Sequence, residues 1–289
     1  MFKPLPLFLG LRYSRSRRRN GFIAFISASS LIGIALGVMA LILGLSAMNG
    51  FERELKNRVL SVVPHGELIG MEAPLPDWPR LRDYLLAQPG IEAAAPVIRL
   101  DGLLEHGSAI KGVQVRAVLP ELEANLSDAG NYMTGLGFRE LQAGEHGVIL
   151  GKTIADKLGV KIGDPVTLLL PQGGDETGIK NPRRETLTVV GLLEIGGQLD
   201  GVLGFMHLAD AQSITGMGSA VEGFSLKVND VLKAQSITVA AARKFPHYVY
   251  ISSWMSRQGY LYQDIQMVRT VMYVVMLMVV AVACFNIVS

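Results

Sequence analysis

The sequence predicts an α-helical membrane protein that holds an α+β domain outside the bilayer. Three observations predict it. Gly21–Gly50 carries no charged residue, and a hydrocarbon core about 30 Å thick needs about 20 apolar residues at about 1.5 Å of helical rise each. Val271–Ser289 is a second uncharged run. Between them, short apolar segments alternate between the period of a strand and that of a helix, separated by Gly/Pro-rich turns.

The first run is too long for a cleaved signal sequence, whose apolar core covers roughly 7–15 residues before a small-residue cleavage site. It also leads into Asn49-Gly50-Phe51-Glu52-Arg53-Glu54, which reads as a continuing polar helix. Lys3, Arg12, Arg15, Arg17, Arg18 and Arg19 precede the run with no acidic residue among them, whereas Arg53, Lys56 and Arg58 beyond it mix with Glu52 and Glu54. Cytoplasmic flanks carry the excess of Lys and Arg, so the N-terminus lies inside. The division that follows is 1–21 cytoplasmic, 22–50 the first span, 51–269 outside and 270–289 the start of a second span. A chain that stops within a span reads as a fragment.

Glu52–Val62 continues as a stalk helix with Leu55, Val59 and Val62 on one stripe, ended by Pro64. Glu67–Met71 is a strand. A helix opens at Asp77 with Leu81, Tyr84 and Leu85 inward and closes at Gln88-Pro89-Gly90. Ile91–Leu100 and Ala109–Val118 are strands around the turn Glu105-His106-Gly107-Ser108. Val221–Val228, Asp230–Phe245 and His247–Ser252 are strand, helix and strand. Together they form a split β-α-β-β-α-β unit, interrupted over about 120–220 by a small β-rich insertion. The insertion has strands at Gly147–Leu150, Pro165–Leu170, Thr186–Leu193 and Gly204–Leu208, with a helix at Lys152–Leu158 ended by Gly159.

No enzymatic chemistry has residues to rest on. Gly151-Lys152-Thr153 ends like a phosphate-binding loop, but that motif needs a glycine where His146 stands, so Gly151 reads as the end of a strand. None of the 5 histidines has the spacing of a zinc site, and neither a nucleophile elbow nor paired carboxylates stand out. No metal or cofactor is expected. The single cysteine, Cys284, falls in the second span and excludes an intramolecular disulfide. The net charge of +2 says nothing of partners, and the basic cluster Arg15–Arg19 beside the first span reads as a topology signal or a lipid contact, so no nucleic-acid partner is expected.

The first span is more informative. Ser30, Gly33, Gly37, Ala40, Gly44 and Ala47 recur at spacings of 3, 4, 3, 4 and 3, on one helical face. In lipid, where apolar burial does not drive helices together, such faces let backbones approach closely. Gly33, Gly37, Ala40 and Gly44 are therefore expected to pack on a neighbouring helix. Ahead of the second span, Tyr260, Asp264, Met267 and Val271 share a face at spacings of 4, 3 and 4. That face reads equally as an interfacial anchor and as a receiving surface for an amphiphile.

Three stretches resemble the membrane subunits of the lipoprotein-releasing ABC transporter, the LolC/LolE family. They are Leu9-Gly10-Leu11-Arg12-Tyr13, the run Gly44-Leu45-Ser46-Ala47-Met48-Asn49-Gly50-Phe51-Glu52-Arg53-Glu54-Leu55, and Val148-Ile149-Leu150-Gly151-Lys152 through Gly163-Asp164. Val63-Pro64-His65-Gly66-Glu67, Tyr248-Val249-Tyr250-Ile251 and Gly259-Tyr260 through Ile265-Gln266-Met267 are more similar to the LolE branch. The resemblance implies an inner-membrane, multi-pass permease of four spans with a periplasmic domain after the first. It implies a non-catalytic subunit working with a LolC-like paralogue and a separate LolD-like cytoplasmic ATPase. Acylated lipoproteins would be passed from the membrane lipid to a LolA-like carrier in the periplasm. The chain lacks the third and fourth spans and the loop that would engage the ATPase. A related mechanotransmission permease for drugs or peptides, or a two-span periplasmic sensor, would share the plan within this length.

Acyl chains leaving the outer leaflet need an apolar surface near the outer interface. Met48 and Phe51 at the end of the first span, with Tyr260, Asp264, Met267 and Val271 at the start of the second, are the expected substrate-binding residues. Methionine adapts to varied partners. The loop 171–185, with Gly173, Gly174, Gly178 and Pro182, is expected to be solvated, and its dissimilarity from the LolC hairpin implies weak carrier binding or none.

Overall fold

The computed structural model describes residues 21–54, 60–72, 74–135, 137–171 and 181–288. Helix α1 spans Gly21–Glu54 and α7 spans Trp254–Val288. Within them Ala28–Gly50 and Gln266–Cys284 are long and apolar enough to cross a membrane. The chain divides into two compact units. One holds the described residues up to 52 with those from 263, and the other is 53–262.

The larger unit contains nine strands among the described residues: β1 Gly66–Gly70, β2 Ile91–His106, β3 Ala109–Val118, β4 Gly147–Gly151, β5 Pro165–Leu170, β6 Arg183–Leu193, β7 Leu203–His207, β8 Gly223–Val228 and β9 Val249–Ser253. Its helices are α2 Trp78–Leu86, α3 Pro120–Leu126, α4 Lys152–Leu158, α5 Leu208–Thr215 and α6 Ala234–Ala242. β9, β1, β8 and the first half of β2 form an antiparallel sheet. From Ile98 onward β2 leaves it to pair with β3 on one side and β5 on the other. The further pairs β3–β7, β7–β4, β4–β6 and β6–β5 close a ring of six strands. A closed ring has no free edge to protect.

Two expectations change here. Ala109–Val118 was assigned to the split unit, yet β3 belongs to the ring, and the third strand of the unit is β8. The reason is the length of β2: it runs 16 residues to His106, past Leu100, and carries the chain out of one sheet into the other. The hairpin therefore turns at Gly107-Ser108 alone. The stalk also differs. α1 is described as far as Glu54, and Leu60–Val62 form a turn, with Leu60 and Val62 buried in separate clusters of the domain. Leu55 and Val59 lie outside the described residues, as do Lys3 and Arg12–Arg19 and, in the 171–185 loop, Gly173, Gly174 and Gly178.

Strand alternation sorts the core. In β4, Val148 and Leu150 join a large cluster that runs on through Leu104, Val115 and Leu168 of the ring to Leu68, Phe224 and Leu226 of the sheet. Ile149, between them, joins the other cluster with Phe205 and Phe138, whose rings meet edge-on at 5.2 Å. Period 2 is what one strand between two cores requires. Gly151 closes β4 where a Cβ would collide with the Asp200 backbone. Gly159 ends α4 at φ 68°, the left-handed cap that glycine adopts without strain.

Candidate functional site

In the smaller unit the small-residue face of α1 meets α7. A Cβ on Gly37 would lie 3.7 Å from Val279, and one on Gly44 would collide with the Met272 side chain. Gly33 has nothing within 4 Å of that position. It lines instead a groove of ≈ 370 Å³ with Ser30, Ile34, Val275, Met278, Val279 and Val282. Nearer the other end, Arg269 Nη2 donates to Asn49 Oδ1 at 2.9 Å, tying the helices beside Met48. Met48 is half-buried, Asp264 is exposed, and Met267 and Val271 are 69% and 54% exposed. The structure thus brings Met48 to the same end of the helix pair as Met267 and Val271 and leaves the last two open. Phe51 and Tyr260 lie on α1 and α7, with side chains outside the described residues.

The domain holds a second constellation that the sequence reading missed, a buried ionic cluster where sheet and ring join. Glu67 of β1 is 1% exposed, Glu123 of α3 0%, and Arg116 of β3 5%. Arg116 Nη2 donates to Ser225 Oγ at 2.8 Å and lies 3.8 Å from Glu67 and 4.0 Å from Glu123. Arg99 of β2 pairs with Glu222 at 2.9 Å and approaches Glu67 at 3.9 Å. Burial raises the Glu123 carboxyl above its ordinary value, and the Arg116 charge and the Ser127 hydroxyl only partly offset it. Burial also works against the Arg99 charge, but the hydrogen bond and charge of Glu222 outweigh it, and the pKa is raised. The signal was present in sequence: a lone charge inside each of the apolar strands Gly66–Gly70, Val97–Leu100 and Val113–Val118 is costly to bury without a partner.

The chain enters and leaves the domain at one place. Leu60 and Trp254 share a small buried cluster with Val228 and Ala234. His65 sits beside it, its ring nitrogens 3.2 Å from Leu60 O and 3.1 Å from Val228 N, while Trp254 N donates to its carbonyl at 3.2 Å. Burial lowers the pKa of this imidazole, against the opposing pull of the Leu60 and Val228 carbonyls. Among the described residues no group of three or more His, Cys, Asp or Glu side chains is arranged to hold a metal.

Residues 27–244 match the family model of the MacB-like periplasmic core domain. The chain is 40% identical to the lipoprotein-releasing system transmembrane protein LolE of Haemophilus influenzae, over 98% of this chain and 69% of that one. The chain belongs to the LolC/LolE family. Its identity to LolC of Neisseria meningitidis is 35%, over 99% of this chain and 69% of that one. To LolC of Haemophilus influenzae it is 26%, over 99% and 70%. Within one organism, then, this Lol-family chain is nearer LolE than LolC. Membership places it in the inner membrane with its core domain in the periplasm and displaces the sensor reading.

Proposed function

We propose that this chain is the LolE-like, non-catalytic, multi-pass permease subunit of a lipoprotein-releasing ABC transporter. It takes acylated lipoproteins from the outer leaflet of the inner membrane, alongside a LolC-like paralogue. A LolD-like ATPase in a separate chain supplies the energy, and the cargo passes to a LolA-like periplasmic carrier. The observation that carries this reading is the 40% identity to a LolE protein along 98% of the chain. The open apolar surface of Met267 and Val271, on the end of the helix pair shared with Met48, supports it.

Met48, Phe51, Tyr260, Asp264, Met267 and Val271 form the receiving surface. There the acyl chains and the polar start of the cargo meet side chains able to adapt to them. Asp264 supplies a carboxylate at a depth where an unpaired charge is costly, so it meets water or the polar head of the cargo. The groups along Gly37–Gly44 hold α1 against α7 and keep this surface in shape. The test is a photo-crosslinker at Met267 in the complete transporter. It captures lipoprotein before ATP is added and loses it afterwards. Met267→Asp reduces capture, since setting an unpaired carboxylate against acyl chains costs on the order of several kcal/mol. Equal capture from Val274, Met276 and Leu277, around the whole helix, would mean a merely lipid-facing surface.

A further inference from the structure

β9 is the outermost strand of its sheet. β1 covers one of its edges, and among the described residues no strand pairs with the other. The phase of the ladder decides which main-chain groups are open. Met71 N–H donates to Tyr248 C=O at 2.9 Å, and Trp254 N–H donates to His65 C=O at 3.2 Å. In an antiparallel pair, residues that exchange hydrogen bonds alternate with residues that do not. Tyr248, Tyr250, Ser252 and Trp254 therefore turn their main chain toward β1, and Val249 and Ile251 turn theirs outward. Two N–H and two C=O groups face the open edge in the phase an added strand needs.

Natural edges are blunted by charge, proline, bulges or a cover. The first half of β2, at the other side of this sheet, carries Glu92, Pro96 and an irregularity between Ile91 and Ala93. The ring has consumed its edges altogether. Tyr248–Ser253 contains neither charge nor proline. Tyr248 is 80% exposed and Tyr250 63%.

We propose that β9 accepts, as an added strand, the extended polypeptide that follows the acylated N-terminus of a lipoprotein. This rests on the function proposed above. Three features select that occupant. Main-chain pairing reads no particular side chain, which suits a class of cargo defined by its lipid and not by its sequence. An edge without charge accepts linkers of either sign. In sequence, β9 leads directly into α7, the helix that carries Asp264, Met267 and Val271. The two exposed tyrosine rings offer flat contacts to whatever side chains the linker presents.

Ile251→Pro tests the edge without touching the β1 ladder, because the N–H it removes points outward. In the complete transporter, reconstituted with its partner chains, a photo-crosslinker at Tyr250 captures lipoprotein through the segment next to the acylated residue. Ile251→Pro lowers that yield roughly fivefold, the effect of losing one main-chain hydrogen bond. Ile251→Lys, which leaves the backbone intact and adds an edge charge, lowers it in the same direction. Capture at Met267 stays at its original level in both variants. Capture at Met267 with none at Tyr250, yield at Tyr250 unchanged by both substitutions, or crosslinks only to the partner permease would each overturn the β9 proposal and leave the proposed function standing. No lipoprotein at either position would overturn both.

Discussion

The sheet and the ring share β2, yet they solve the edge problem in opposite ways. The ring pairs each of its strands on both sides and must bring together segments distant in sequence, such as β3 with β7 and β2 with β5. The sheet is simpler in topology, keeps β9 open, and lies beside the place where the chain enters and leaves the domain. A closed unit supplies rigidity, whereas an open one supplies attachment. Joining them through one long strand and one continuous apolar core makes the pair a single body.

The ionic cluster is the first place to break that union. Arg116→Ala leaves Glu67 and Glu123 buried without their nearest cation. Breaking a buried pair in this way costs about 3–5 kcal/mol. Chemical denaturation of the protein in detergent measures it, and a loss below about 1 kcal/mol would mean that the cluster does not hold sheet to ring.

Core truncation sharpens the comparison. Leu168→Ala in the ring and Leu226→Ala in the sheet each remove a side chain with no exposed surface and should cost about 2–5 kcal/mol. Because the two leucines share a core, both substitutions should move the same single transition of the domain. Separate transitions, one per variant, would make ring and sheet independent.

Acidity probes the cluster more gently. The folded-state pKa of Glu123 lies above its ordinary 4.5, so the folded protein holds this proton more tightly than the unfolded chain. Its contribution is neutral well below that value. It becomes a penalty as pH rises through the ordinary value and is complete above the raised one. Glu123→Gln should therefore gain stability relative to the parent at pH 7–8 and gain none near pH 4. A gain of equal size at both would refer the effect to packing. The smallest expected effect is at the ring's periphery: Gly159→Ala, forced to φ 68°, should cost about 1 kcal/mol.

Much of this was legible because it is local. Lys152–Leu158, Pro165–Leu170 and the glycine cap at Gly159 follow from period and turn chemistry, and the structure has them at those residues. The family was legible from the run around Met48–Leu55. The ring was not, because a parallel pair such as β3–β7 leaves no trace in the spacing of either strand. Nor was the end of the stalk, since Val62 fits a helical stripe with Leu55 and Val59 in sequence as well as it fits a buried cluster of the domain. The cluster escaped for a related reason: each lone charge is visible, but which opposite charge it meets depends on a strand three neighbours away. Of the proposed receiving surface, the shared face of α7 was legible, and the helix pair added Met48 beside Asn49 and Arg269.

The meeting of Leu60 and Trp254 in one buried cluster has a consequence for how such proteins arise and how they can be rebuilt. A domain whose two ends touch behaves as a cassette. Excised at these residues and bridged by a short link, it closes upon itself, and new termini can be opened at an exposed turn such as Gly107-Ser108. In the reverse direction, recombination can set the whole cassette into the loop of a helical hairpin in one step, because its ends already lie as close together as the loop they replace.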